Sequence, residues 1–190
     1  SLLGLVTMNS WSFKIENVVS TVKLSQSFNL EDLKSKLENA EYNKSKFPGL
    51  VHRIKDPKAV FLLFNSGKVV CTGSKSIEDA QNASKKLTQE LIKQGIEIDS
   101  SNEIIVQNIV ASADLKSVLN LNSVALGFGM ENIEYEPEQF PGLVYRMREP
   151  KVVILLFGSG KMVITGGKSP MDCENAFRSI KEKLINLNII

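Results

Sequence analysis

Apolar and β-branched residues cluster in three short runs, 50–55, 58–64 and 68–73, broken by Asp56-Pro57 and Asn65-Ser66-Gly67. Runs of this length, punctuated by Pro, Asn and Gly, predict antiparallel strands joined by tight hairpins. The period then changes. Ser76 has the character of a helix N-cap, and apolar or small residues follow at Ala80, Ser84, Leu87 and Leu91. A spacing of four, three and four puts them on one face of an amphipathic helix. A shorter helix is expected from Asn29 to about Leu37.

The whole pattern occurs twice. Residues 46–76 and 139–169 align at a constant offset of 93 with 20 identities in 31 positions. Most mismatches are conservative, such as Asp56 against Glu149. Upstream, Ile15-Glu-Asn-Val-Val-Ser20 matches Val106-Gln-Asn-Ile-Val-Ala111 at an offset of 91. The second long helix is expected after Ser169-Pro170, burying Cys173, Phe177, Ile180 and Leu184, with a weaker short helix near Leu121–Leu126. Internal duplication of about 90 residues divides the chain into an N-terminal extension (1–13), a first repeat (14–100) and a second (101–190). Met8 is a plausible start, which would make residues 1–7 extraneous. Two copies are too few for an open solenoid, so a pair related by an internal two-fold axis is expected. Strand, short helix, antiparallel strands and long helix, twice over, is an α+β design with helices on one sheet face.

The other sheet face is then open, and its composition matters. Alternation puts Lys68, Val70 and Thr72 on one side of their strand, and Asn17, Val19 and Thr21 on one side of the first. An open face of an antiparallel sheet is normally polar. Here apolar residues occupy both faces with a sparse set of amides, hydroxyls and lysines, which marks a binding surface.

Composition narrows the partner less than the pattern does. The 190 residues are 43% hydrophobic and 23% charged, and 23 Lys and Arg against 21 Asp and Glu leave a formal charge of +2. If nucleic acid is the ligand, positive charge is placed rather than abundant. Cys71, Cys173 and the one histidine, His52, form no zinc-ligand or disulfide pattern, so two reduced buried thiols are expected. No apolar run has the length of a membrane span, and the opening stretch lacks the parts of a signal peptide.

Several motifs have two readings. Gly158-Ser-Gly-Lys161 and its copy Asn65-Ser-Gly-Lys68 lack the first Gly and the Ser or Thr of a phosphate loop, and a strand rather than a helix follows. A hairpin turn ending in an exposed lysine fits better. Phe47 and Phe140 each precede a Pro-Gly turn, while Phe64 and Phe157 each end a strand beside a hairpin. They are core anchors of their turns or wedges at loop tips, and their symmetric recurrence beside turns favours wedges. His52 faces Tyr145 of the other repeat in the alignment and is expected to be a half-exposed strand residue. Glu41, Glu134, Asp56 and Glu149 fit solvated turns. Nothing resembles a triad or an activated nucleophile, so no enzyme activity, catalytic residue, metal site or cofactor is expected.

Asn-[Val/Ile]-Val near each repeat start, Ala40-Glu-Tyr-Asn43, the two Phe-Pro-Gly-Leu turns, Tyr145-Arg-Met, Ser-Gly-Lys and Thr-Gly-x-Lys together resemble the TATA-box-binding protein core. The resemblance spans about residues 14–187 and favours an archaeal member, since no long low-complexity tail precedes the core. It implies a saddle: a curved antiparallel sheet from two pseudo-two-fold-related repeats, with four helices on the convex face and DNA beneath the concave one. It assigns intercalation to Phe47, Phe64, Phe140 and Phe157. Minor-groove contacts fall on Asn17, Val19, Thr21, Leu62, Val70 and Thr72, and on Asn108, Val110, Ser112, Leu155, Val163 and Thr165. Phosphate contacts fall on Lys46, Arg53, Ser66, Lys68, Lys75, Arg146, Ser159, Lys161 and Lys168. Glu136, Glu138 and Gln139 match a docking segment for transcription factor B.

The implied role is that of a general initiation factor. It binds A/T-rich promoter DNA, kinks it and recruits transcription factor B, reaching RNA polymerase indirectly. It implies no membrane partner, and it leaves a weak homodimer in the absence of DNA open. The expected place is intracellular, the nucleoid in the cytoplasm of an archaeon, with a nucleus as the alternative. Lys46 stands where eukaryotic members carry Arg, and Ser112 where symmetry with Thr21 would put Thr, so the halves are expected to be unequal. The competing reading is a scaffold whose open sheet takes RNA or protein; it requires aromatics in mid-sheet. A tandem-repeat enzyme lacks any catalytic constellation.

Overall fold

A computed structural model describes residues 11–99 and 103–190. The proposed extension 1–13 therefore lies outside the described residues up to residue 10, and the start proposed at Met8 lies there too. The chain forms two compact units, one of Asn17–Asn108 and one of Ile109–Ile190 together with the stretch ending at Glu16.

In the first unit, the part of β1 (Ser12–Lys23) from Asn17 onward is followed by α1 (Leu30–Lys36), β2 (Ala40–Glu41), β3 (Leu50–Lys55), β4 (Lys58–Leu63), β5 (Lys68–Ser74) and α2 (Ile77–Lys93). The strands lie in the order β2-β3-β4-β5-β1, antiparallel throughout. The second unit repeats this with β6 (Ile105–Asp114), α3 (Leu121–Phe128), β7 (Ile133–Glu134), β8 (Leu143–Met147), β9 (Val152–Leu156), β10 (Lys161–Gly167) and α4 (Pro170–Asn186), in the order β6-β10-β9-β8-β7. Among the described residues the two units share ten strands and four α-helices, and the fold is α+β.

The helices start where the caps dictate. The side chains of Asn29, Ser76, Asn120 and Ser169 each accept from a backbone N–H three residues on, satisfying a donor the first turn leaves open. Both long helices cover one face of their sheet. Ala80, Ala83, Leu87 and Leu91 of α2 are buried over β4 and β5. Ala83 takes the place expected of Ser84, which is half-buried; a methyl needs no hydrogen-bond partner when it is buried, whereas a hydroxyl does. In α4, Cys173, Phe177, Ile180 and Leu184 are buried, and so is Ala176.

Strand alternation sorts the rest. On β1, Val18, Ser20 and Val22 are buried while Asn17, Val19 and Thr21 are half-exposed; on β5, Val69 and Cys71 are buried while Val70 and Thr72 are half-exposed. His52 departs from expectation. It is 6% exposed, stacked on Phe61 with ring centroids 6.0 Å apart, and its Nδ1 has no hydrogen-bond partner. Its strand register points it toward the helices, opposite Ala40 and Phe61, and burial holds its pKa below the ordinary 6.5. Both cysteines are buried and free. Burial raises the Cys71 thiol and, with Asp172 adding to it, pushes the Cys173 thiol up to about 11, so neither has the character of a nucleophile.

Candidate nucleic-acid interface

The uncovered face of each sheet is built by cross-strand register. In the first unit Thr21 pairs with Val70, Val70 with Leu62 and Leu62 with Val51. In the second, Ser112 pairs with Val163, Val163 with Leu155 and Leu155 with Val144. A second row runs Thr72–Val60–Arg53 in one unit and Thr165–Val153–Arg146 in the other. All the apolar members are half-exposed and both arginines are exposed. Each face is thus a smooth strip of Val and Leu methyls that starts at a hydroxyl and ends at a guanidinium. Val51, Val60, Val144 and Val153 were not singled out as contact residues, although the same period-two alternation placed them on this face.

Asparagine supplies the amide. The ladder slips between Val18 and Ser20 of β1, opposite Gly73, whose φ is +90°. A residue with a side chain rarely adopts that conformation, and it frees the Gly73 N–H to donate to Asn17 Oδ1 at 2.6 Å. With its oxygen engaged, Asn17 gives one Nδ2 hydrogen to Thr72 Oγ1 at 2.9 Å. Asn108 is half-exposed at the matching position of β6.

The four candidate wedges form two pairs. Phe47 and Phe64 meet edge to face with centroids 5.9 Å apart, and Phe140 and Phe157 do the same at 5.9 Å. Phe47 and Phe140 are 39% and 41% exposed, and their partners are half-buried. Gly49 and Gly142 sit inside the pairs. A methyl at Gly142 would stand 2.9 Å from a ring carbon of both Phe140 and Phe157, and one at Gly49 2.7 and 2.9 Å from Phe47 and Phe64. These contacts are closer than carbon atoms tolerate, so the rings nest because glycine leaves room for them.

Cationic and polar side chains line the rims. Lys46, Arg53, Lys68, Lys75, Arg146, Lys161 and Lys168 are all exposed, as are Ser66 and Ser159. Each hairpin serine accepts from the N–H of the following lysine, Lys68 or Lys161, at 3.4 Å. Arg146 lies 3.4 Å from Glu134. Glu136, Glu138 and Gln139 are exposed on the turn before Phe140. That turn has the same backbone as its first-repeat counterpart. Gln139 and Phe140 donate to the Glu136 carbonyl at 2.9 and 3.0 Å, as Lys46 and Phe47 donate to Asn43. One turn is acidic and the other basic on a shared frame.

Among the described residues no three His, Cys, Asp or Glu side chains gather to share a metal ion, and no helix is long and apolar enough to cross a membrane. Duplicated open sheet faces with hydroxyls and amides set among methyls, ring pairs at hairpin ends and exposed cationic side chains define a two-repeat, sheet-based binding protein.

The family follows from comparison. The sequence profile of transcription factor TFIID (or TATA-binding protein, TBP) matches residues 12–94 and 103–187. TATA-box-binding protein 1 of Methanosarcina acetivorans is 56% identical over 183 residues, covering 96% of this chain and all of that protein. The TATA-box-binding protein of Methanothrix thermoacetophila is 58% identical over 180 residues, 94% of this chain and 98% of that one. The solved structure of Methanococcus jannaschii TBP superposes with a TM-score of 0.82 at 50% identity, over 92% of this chain and 99% of that one. The chain belongs to the TATA-binding protein family, a family of DNA-binding transcription factors and not of enzymes.

Proposed function

We propose that the open sheet faces bind A/T-rich promoter duplex through its minor groove, that the phenylalanine pairs wedge into base steps, and that the acidic turn recruits transcription factor B. The observation that carries this is the pair of equivalent rows, hydroxyl to Val to Leu to Val, flanked by amide donors. In the minor groove A·T pairs present only acceptors, adenine N3 and thymine O2, whereas G·C adds the guanine amino group. Asn17, with its oxygen held by Gly73 and one of its two Nδ2 hydrogens used by Thr72, keeps a second hydrogen that suits acceptors. A methyl strip would bury a guanine amino group without a partner, at a cost of about 1–3 kcal/mol. The same face discriminates weakly between A·T and T·A.

The rings belong at the hairpin ends, not mid-sheet, which favours wedging over base stacking on a sheet. Inserting a wedge costs a few kcal/mol per step, the general magnitude for minor-groove proteins of this family. Deformable TA steps lower it and add sequence preference without contact. Phosphate contacts at Lys46, Arg53, Ser66, Lys68, Lys75, Arg146, Ser159, Lys161 and Lys168 would hold the flanks. Such a protein acts inside the cell at promoters, and RNA polymerase reaches it through transcription factor B. A gel-shift series tests the reading. An A/T-rich duplex should bind at least tenfold more tightly than its G·C-substituted copy and than single-stranded RNA; equal binding to all three would refute it.

A further inference from the structure

Thr21 and Ser112 start the two equivalent rows, yet their hydroxyls are tied with opposite polarity. In the first unit Thr21 Oγ1 accepts from Gln107 Nε2 at 3.0 Å. In the second, Ser112 Oγ donates to Glu16 Oε1 at 2.7 Å. Gln107 and Glu16 are themselves equivalent, since the repeat aligns them at the offset of 91. The directions follow from the atoms in contact. Gln107 turns its amide nitrogen, which has no lone pair to offer, to Thr21, and the Glu16 carboxylate has no hydrogen, so Thr21 accepts and Ser112 donates. The Lys14 ammonium lies 3.2 Å from the same Glu16 oxygen.

The consequence reaches the open face. Thr21 keeps its hydroxyl hydrogen for an acceptor in front of it. Ser112 has given its hydrogen to Glu16, and what it presents outward is lone pairs. A·T pairs offer acceptors at the minor-groove floor and only guanine offers a donor there. Thr21 is therefore matched to A·T, while Ser112, backed by a carboxylate, is matched to the guanine amino group.

We propose that Glu16, acting through Ser112, is a specificity-determining residue that lets the second unit accept a guanine where Gln107 and Thr21 make the first unit reject one. This rests on the minor-groove reading above. It supplies a polarity that near-identical repeats otherwise lack: one G·C pair inside an A/T-rich site would favour the orientation that sets it against Ser112.

The test is a single-position scan of an A/T-rich duplex in which each pair is replaced by G·C or by I·C, which lacks only the amino group. Wild type should lose about tenfold on G·C relative to I·C at most positions, the usual scale of one mismatched pair, but less than about threefold at one position. Glu16→Gln should raise the loss there to about tenfold while strengthening binding to the all-A/T duplex. Ser112→Ala should also abolish the tolerance, and Gln107→Glu should create a second tolerant position. Identical profiles for wild type and Glu16→Gln, with thermal melts showing both folded, would overturn the proposal. If wild type separates G·C from I·C at no position, the minor-groove reading itself fails, and the unmodified protein alone shows it.

Discussion

Replacing Gly142 with Ala isolates the ring pair from the fold. The new methyl would stand 2.9 Å from Cε1 of both Phe140 and Phe157. Ordinary carbon contact begins at about 3.4 Å, so each ring edge must retreat by roughly half an ångström, and the edge-to-face contact at 5.9 Å opens. Overpacking in a closed core costs about 1–3 kcal/mol. Here Phe140 is 41% exposed and can swing toward solvent, so the loss is nearer the worth of an aromatic pair, about 1 kcal/mol. Stability should fall by only that much, while the wedge changes shape. We expect end-to-end fluorescence transfer on a doubly labelled A/T-rich duplex to show reduced bending, and the complex to dissociate about fivefold faster, the equivalent of ~1 kcal/mol. Gly158→Ala is the control, because a methyl there meets only the Leu119 carbonyl oxygen at an ordinary 3.6 Å. Phe140→Ala with Phe157→Ala sets the limit of complete wedge loss. Wild-type bending and lifetime in Gly142→Ala would refute the argument that ring spacing governs the kink.

The same geometry yields three further expectations. Lys68→Ala or Lys161→Ala should each make the slope of log affinity against log salt shallower by about one unit, with sequence preference unchanged; a slope that stays put removes that lysine from the interface. Glu136→Arg with Glu138→Arg should leave binary DNA binding nearly intact and abolish the complex with transcription factor B in a supershift, through charge complementarity on an exposed turn. His52 should make stability fall with acid. Its folded pKa is depressed by burial, with backbone groups of Glu38 and Asn39 and the Glu90 charge opposing. The unfolded chain therefore takes up a proton that the fold resists, so the contribution is complete above pH 6.5 and declines as pH falls from there through the folded value. Urea midpoints at pH 7.5 and 5.5 should differ less in His52→Tyr, which copies the second repeat, than in wild type; an equal difference would remove His52 as the cause.

The hairpins, the caps at Ser76 and Ser169 and the polarity of each strand face were legible in the sequence because neighbours a few residues apart set them, and the repeat because residues 46–76 and 139–169 align at one offset. Alternation on β1 and β5 was enough to put Val19, Thr21, Val70 and Thr72 on one face. It could not say that Ala83 rather than Ser84 lies against the sheet, or that His52 is buried, since both depend on how far a helix stands from the strands beneath it. Nor could spacing show that Gly49 and Gly142 lie inside ring pairs, which form only when a turn and the end of β4 or β9 meet. The Gly73 kink that orients Asn17 needs β1 and β5 in register, and the opposed hydroxyls of Thr21 and Ser112 depend on partners 86 and 96 residues away. Which residues face outward was a local property of the chain; which of their hydrogens remain to be offered was decided by tertiary contacts, because a hydroxyl's direction belongs to whatever group it meets.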